Sequence, residues 1–238
     1  CETMHTDNQT ASGVSRRRAL GLLALSGAAV ATGVVPSTLH ADAFDAASIT
    51  TPEQALAELM AGNARFVSGR TVGPNRNMAR LREVVPTQKP FAAVLSCADS
   101  RVPVEILFDQ GFGDVFVCRA AGNIVTPELI GSLEFGTLVL GSKVLMVMGH
   151  TGCGAVKATI AGDAVPGQIS SLYRHIQPAV DRTPSRELEA VTRENVRVQA
   201  RLLRTSSPVV AQLVREKKLL VAGGVYDLAT GRVQMVEV

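Results

Sequence analysis

At 238 residues the chain is long enough for one sizeable hydrophobic core. Hydrophobic residues at 46% against charged residues at 19% exclude a disordered chain, and aromatics at 4% with no Trp leave the core to Val, Leu, Ile and Ala. A formal charge of +3, with no basic run beyond Arg16-Arg17-Arg18, argues against nucleic acid as a partner.

Residues 1–15 are polar and have no apolar period. Ser15-Arg16-Arg17-Arg18-Ala19-Leu20 then leads into a Gly- and Ala-rich apolar stretch that ends at Val35, and Ala41-Asp42-Ala43 offers small residues at the spacing a signal peptidase reads. A basic patch, a short apolar run and an A-x-A site describe an export signal. The run falls short of the roughly 20 residues of a spanning helix, so no stable membrane span is expected in the mature protein. The paired arginines ahead of Leu20 resemble a twin-arginine signal. The expected division is a leader over 1–43, cleaved after Ala43, and one exported domain, periplasmic or extracellular, over 44–238.

Thr51-Pro52-Glu53-Gln54 opens a helix, with Thr51 as cap, Pro52 in the first turn and Gln54 completing a capping box. Leu56, Leu59, Met60, Phe66 and Val67 form its apolar stripe. Residues 70–88 read as loop with a short helix around Met78–Val84. Phe91–Ser96, Val115–Cys118, Lys143–Gly149 and Leu219–Val225 are continuous apolar runs, the pattern of parallel strands buried on both faces. Helices are predicted between them over Pro127–Leu140, Ile169–Val180, Leu188–Leu203 and Pro208–Lys217. Val233–Val238 alternates after Ala229-Thr230-Gly231 and reads as a hairpin partner of the fourth run. The fold class is therefore α/β: a mainly parallel central sheet, four parallel strands plus an antiparallel edge strand, flanked by helices.

Ligands of such sheets bind beyond the carboxyl ends of the strands. The first run ends in Cys97-Ala98-Asp99-Ser100-Arg101 and the third in His150-Thr151-Gly152-Cys153-Gly154. Each block alone is ordinary, since lone cysteines and histidines are usually core residues. Two Cys and one His at neighbouring strand ends, with a carboxylate beside one Cys, form a stronger pattern. Thiolate and imidazole suit Zn²⁺, and three protein ligands with an open fourth position describe a catalytic site. Asp99 lies close enough to Cys97 to reach that fourth position, and Arg101 can hold the carboxylate in a bidentate pair. The third cysteine of the predicted domain, Cys118, sits in an apolar strand and reads as a buried inert thiol.

These two blocks, with Arg119-Ala120-Ala121-Gly122-Asn123 and Ser132-Leu133-Glu134-Phe135-Gly136, resemble the signatures of β-class carbonic anhydrases over roughly residues 52–238. The resemblance implies Zn²⁺ on Cys97, His150 and Cys153, with water, or Asp99 in a closed form, as fourth ligand. It implies reversible hydration of carbon dioxide to bicarbonate and a proton, by hydroxide that zinc generates and Asp99 orients. Gln88, which unaided reading takes for a solvated loop residue, matches the family's substrate-orienting glutamine, and the Gly154 N–H matches its other oxygen contact. A second, bicarbonate-binding site of some members matches at Arg119 and Val102, but Val94 stands where they carry tryptophan. The resemblance also implies a homodimer or higher homo-oligomer, with the Thr51–Val67 helix lying on the partner. His175, on the Ile169–Val180 helix, reads as an exposed residue with proton shuttling as its less favoured role.

Two other functions fit the same residues. One is hydrolysis of carbon disulfide or carbonyl sulfide on the same zinc. The other is a non-catalytic zinc-stabilised assembly protein, against which Asp99 and Arg101 argue, since a purely structural site favours a fourth permanent thiolate or imidazole.

Overall fold

The computed structural model describes residues 48–238, so the expected leader lies outside the described residues. The helices are α1 (Pro52–Val67), α2 (Met78–Val84), α3 (Val104–Leu107), α4 (Pro127–Glu134), α5 (Gly154–Ala161), α6 (Tyr173–Asp181), α7 (Leu188–Ser206) and α8 (Pro208–Arg215). The four apolar runs become parallel strands: β1 (Ala92–Ser96), β2 (Val115–Arg119), β3 (Val144–His150) and β4 (Leu220–Tyr226). The alternating C-terminal segment becomes β5 (Val233–Val236), antiparallel to β4. Across the five-stranded sheet the order is β2-β1-β3-β4-β5, which is the expected class.

Every residue of β1 and β3 is buried, which is why these strands lack a polar face. Ala93, Leu95, Leu145, Val147 and Val221 pack with α7 and α8 on one side. Ala92, Val94, Met146, Met148 and Tyr226 pack with α1 and α3 on the other. Burying one such leucine or methionine stabilises the fold by about 1.5–3 kcal/mol.

The capping chemistry read at Thr51 is present. Thr51 Oγ1 accepts from the Gln54 N–H at 3.2 Å, and Gln54 Oε1 accepts from the Thr51 N–H at 3.1 Å. Ser207 caps α8 by accepting from the Val210 N–H at 3.0 Å. The buried face of α1, with Ala55 and Leu59, lies on its own sheet. Asn63 fastens the helix there, donating to the Leu107 and Gly231 carbonyls and accepting from the Val233 N–H. Only the outward face of α1 is left for any partner.

Two predicted helices differ in form. Pro127–Leu140 divides into α4 and a wider π turn, Phe135–Val139, where Gly136 packs so closely on the Phe116 ring that a Cβ would lie 2.7 Å from it. Ile169–Val180 opens as a 3₁₀ turn, Ile169–Leu172, ahead of α6. The four-residue α3 has no counterpart in the sequence reading because it is too short to show a helical period.

Candidate metal centre

Strand register builds the site. Ser96 pairs with Arg119 on one side and Met148 on the other, so Cys97, the next residue, leaves β1 beside the last residues of β3. The chain passes from β1 to β2 on one flank and then returns to β3 on the other. The crevice at that reversal, beyond the strands' carboxyl ends, is where open α/β sheets take ligands. His150 ends β3, and Cys153 is the cap residue ahead of α5. The three side chains are carried on short, buried elements, and their metal-ligating atoms lie within 4.8 Å of one another. Cys97, His150 and Cys153 are 4%, 0% and 1% exposed, so water does not solvate these donors.

The imidazole is oriented by its own neighbour. His150 Nδ1 is 2.9 Å from the Thr151 carbonyl oxygen; a carbonyl only accepts, so Nδ1 carries the proton. That leaves Nε2 with its lone pair, buried and without a hydrogen-bond partner among the described residues. A buried, unpartnered imidazole nitrogen facing two thiols is the donor set that zinc takes. Within the thiol pair Cys97 is the thiolate. A hydrogen bond from Cys153 is the main cause, and His150 and the Asp99 and Gly122 N–H groups add to it, bringing Cys97 down to about 4 against the opposing effect of burial. Cys153 is pushed up, first by sharing its proton with Cys97 and then by burial. Burial opposes a charged His150 and the neighbouring Cys97 thiolate raises it, so a proton and a metal ion compete for the same Nε2 lone pair. All three residues fit a bound cation, which removes the shared proton.

Asp99 stands beside this cluster and is not part of it. Its Oδ1 accepts from the Arg101 backbone N–H at 2.9 Å and from Nε at 3.0 Å; its Oδ2 accepts from a terminal guanidinium nitrogen at 2.8 Å. The Arg101 hydrogen bonds hold the carboxyl well below the ordinary carboxylate range. Asp99 Oδ2 is 3.8 Å from His150 Nε2, so the fixed carboxylate borders the space the metal would occupy.

Arg119 is spent on the backbone. Its Nε donates to the Cys97 carbonyl at 2.9 Å and a terminal nitrogen to the Asp99 carbonyl at 2.6 Å. Val94 and Val102 are both fully buried.

Gln88 is the predicted residue that a single chain does not bring to the cluster. It is exposed and precedes β1, whereas Cys97 follows it. The intervening strand alone separates them by roughly 17 Å at about 3.3 Å per residue. Gln88 instead lines a cavity of about 870 Å³ with Arg80, Lys89, Val139 and Lys143, at the amino ends of β1 and β3. Gly154 opens α5 next to Cys153, with open space where a Cβ would stand. His175 is half-buried, with Nε2 accepting from Arg174. Cys118 is buried, its thiol pushed up by burial, as an inert core residue should be.

Some residues that matter were not singled out. The Gly122 N–H donates to Cys97 Sγ at 3.3 Å, and Asn195 and Gln199 of α7 hold the Gly122 loop. A signal existed: both amides fall on a buried helix face shared with Val191, Thr192, Val196, Ala200 and Leu203.

An open α/β sheet with a buried Cys-His-Cys donor set at its switch point, bordered by an arginine-locked carboxylate, defines a metal-dependent enzyme of the zinc type. Residues 92–233 match the carbonic anhydrase family. A carbonic anhydrase of Mycolicibacterium smegmatis is 34% identical over 191 residues, covering 77% of this chain and 93% of that protein. Carbonic anhydrase 2 of Mycobacterium tuberculosis is 33% identical over 190 residues, covering 77% and 92%. A solved β-carbonic anhydrase of Coccomyxa, in complex with acetazolamide, superposes with a TM-score of 0.60 at 27% identity, over 76% of this chain and 85% of that one. The chain belongs to the carbonic anhydrase family, in its β class, with zinc as cofactor.

Proposed function

We propose that the protein hydrates carbon dioxide reversibly to bicarbonate and a proton, with Asp99 orienting the attacking oxygen. The observation that carries this reading is the buried His150 Nε2 clustered with two thiols, with the Asp99 carboxylate locked 3.8 Å away. Cys97, His150 and Cys153 would hold zinc, which when bound would supply the Lewis acidity that ionises water near neutral pH. The remaining work falls to the chain. Asp99, already saturated on one side by Arg101, accepts a hydrogen bond from the attacking oxygen and turns its lone pair toward the carbon. Arg101 keeps Asp99 ionised and in that rotamer. The Gly154 N–H, in the first turn of α5 where no intrahelical acceptor faces it, donates to a substrate oxygen as negative charge develops there.

Gln88 completes the site only from a second copy of the chain, since its own strand holds it at the far end of the sheet. Exposed Leu138 and Val139, with Val139 in the Gln88 cavity wall, give an apolar face for that copy, and a homodimer or larger assembly follows. Mixing an inactive Gln88→Ala protein with an inactive Cys153→Ser protein restores activity if Gln88 acts across subunits. No recovery on mixed, co-refolded chains refutes that placement.

The reaction is tested by zinc stoichiometry beside carbon dioxide hydration at several pH values. One zinc per chain with hydration supports the reading. Sulfide release from carbonyl sulfide or carbon disulfide without hydration overturns it in favour of the hydrolase. Bound zinc with neither activity favours an assembly protein. The twin-arginine leader supports export of the folded, metal-loaded domain, which keeps Cys97 and Cys153 on zinc and away from oxidation. A mature amino terminus at Phe44 in an exported fraction is the expected result, and an uncleaved cytoplasmic protein refutes it.

A further inference from the structure

Metal sites are tuned by the groups that hold the ligands as well as by the ligands themselves. Around Cys97 the chain makes an unusual turn. Gly122 and Asn123 adopt successive left-handed conformations, φ 75° and 44°, directly after β2. For Asn123 that conformation costs on the order of 1 kcal/mol. Its side-chain Nδ2 is also buried with no partner among the described residues. A loop with two such costs needs to be held, and the result of holding it is the 3.3 Å bond from the Gly122 N–H to Cys97 Sγ.

The hold comes from α7. Gln199 Oε1 accepts from the Val125 N–H at 2.9 Å, which fixes the orientation of that amide, because a backbone N–H only donates. Gln199 Nε2 then donates to the His175 carbonyl at 2.9 Å and to Asn195 Oδ1 at 3.0 Å. Asn195 Oδ1 is thereby the acceptor, and its Nδ2 donates to the Gly122 carbonyl at 2.9 Å. The chain of bonds has one direction, from Val125 through Gln199 and Asn195 to Gly122, and neither amide flips without breaking it. Asn195 and Gln199 are both 0% exposed, so no water substitutes for these bonds. Gly149 of β3 permits the approach: a Cβ there would meet Val196 and Thr192 of α7 at 3.0 and 3.2 Å.

We propose that Asn195 and Gln199 are positioning residues of the metal centre, holding the left-handed Gly122–Asn123 loop so that its N–H group is aimed at the Cys97 sulfur. The inference rests on the zinc reading of the Cys-His-Cys cluster and adds a control on one of its thiolates. An N–H bond to a thiolate withdraws charge from sulfur and fixes its direction. Without it, Cys97 carries more charge and is less well placed, so protons compete for its sulfur more readily and the metal leaves faster.

The test compares wild type with Asn195→Leu and Gln199→Leu, using zinc release to a chelator and the thiolate-to-metal charge-transfer band after cobalt(II) replaces zinc. The expected result is release about 10-fold faster or more, the scale on which supporting residues act, with the band moved to longer wavelength. Asn63→Leu is the control; it removes another buried amide, bonded to Leu107, Gly231 and Val233 and not to the Gly122 loop. Folded Asn195→Leu and Gln199→Leu proteins with unchanged release and an unchanged band overturn the proposal. So does an equal change in Asn63→Leu, which makes the effect one of general stability. Should the leucine variants not fold, Asn195→Ala, which leaves room for a water, is judged on the same two readouts. Wild-type protein that takes up neither metal overturns the metal centre itself and this inference with it, so the two failures are distinguishable.

Discussion

Gly122→Ala tests whether the loop against Cys97 is as constrained as its geometry demands. A Cβ at this position would stand 2.6 Å from Ile176 Cδ1, 3.2 Å from the Ala155 Cβ and 3.5 Å from Ile176 Cγ1. Carbon atoms pack at about 3.5–4.0 Å, so the end of Ile176 has to move by about 1 Å. Ile176 is fully buried on α6, so its tip has to shift within the packed interior. Overpacking of this kind costs about 1–3 kcal/mol. The left-handed φ of 75° adds about 1–2 kcal/mol for a residue with a Cβ. Together the two effects give a loss of about 2–5 kcal/mol, which for a domain of this size lowers the melting temperature by roughly 5–15 °C. Gly162→Ala provides the comparison, because Gly162 has φ 69° at the end of α5 but nothing within 4 Å of a Cβ. That variant suffers the conformational cost alone. Thermal melts of both proteins with zinc bound, beside zinc release to a chelator, read out the difference. Equal destabilisation in the two variants, with zinc release unchanged in Gly122→Ala, would refute the reasoning.

The catalytic and structural groups give further expectations. Cys153→Ser loses zinc and hydration together, read by metal analysis beside the rate assay; retention of either alone contradicts the ligand assignment. Asp99→Ala keeps zinc and loses most of the rate, because the carboxylate borders the metal site without belonging to the cluster; full activity removes its proposed role. Asp109 is a buried carboxylate. Its burial disfavours the charge, but the Val72 and Gly73 N–H groups and the Arg65 guanidinium outweigh that and lower its pKa. A depressed folded-state pKa adds stability that is present above the unfolded value and is lost as pH falls through the folded one. Asp109→Asn should therefore flatten the loss of urea stability below about pH 4, while a slope equal to wild type there assigns the acid limb to other groups.

The sheet was legible because its central strands are buried on both faces, and a strand of that kind carries its signature in composition alone. Lys143–Gly149 needs no neighbour to be recognised, and the structure moves it by one residue. The metal cluster was legible for a related reason. Ligand chemistry restricts residue type so strongly that Cys97, His150 and Cys153 announce themselves once two strand ends are placed side by side. Gln88 shows the limit. A motif match assigns it a role, yet sequence carries no record of whether that role is filled within the chain or across a subunit boundary. Only the direction of β1, with Gln88 before it and Cys97 after it, makes the single-chain reading impossible. The π turn at Phe135–Val139 was hidden because its exposed Leu138 and Val139 extend the apolar period of α4 as if one helix continued.

The support of the metal site was the hardest part to read, and the reason is physical. Gly122 acts through a backbone N–H that every residue except proline possesses. What selects glycine there is the left-handed turn and the Ile176 wall, neither of which is local in sequence. Asn195 and Gln199 lie more than 70 residues beyond the loop they hold. Their one sequence trace is an amide on an apolar stripe, where an unpaired polar group would cost about 1–3 kcal/mol if left without partners. A paired amide at such a position has to be bonding something buried, and in this fold the buried backbone it bonds is the loop against Cys97. A polar residue interrupting a helix's core face therefore marks the position of a network before the partner is known, and the strand register then identifies the partner.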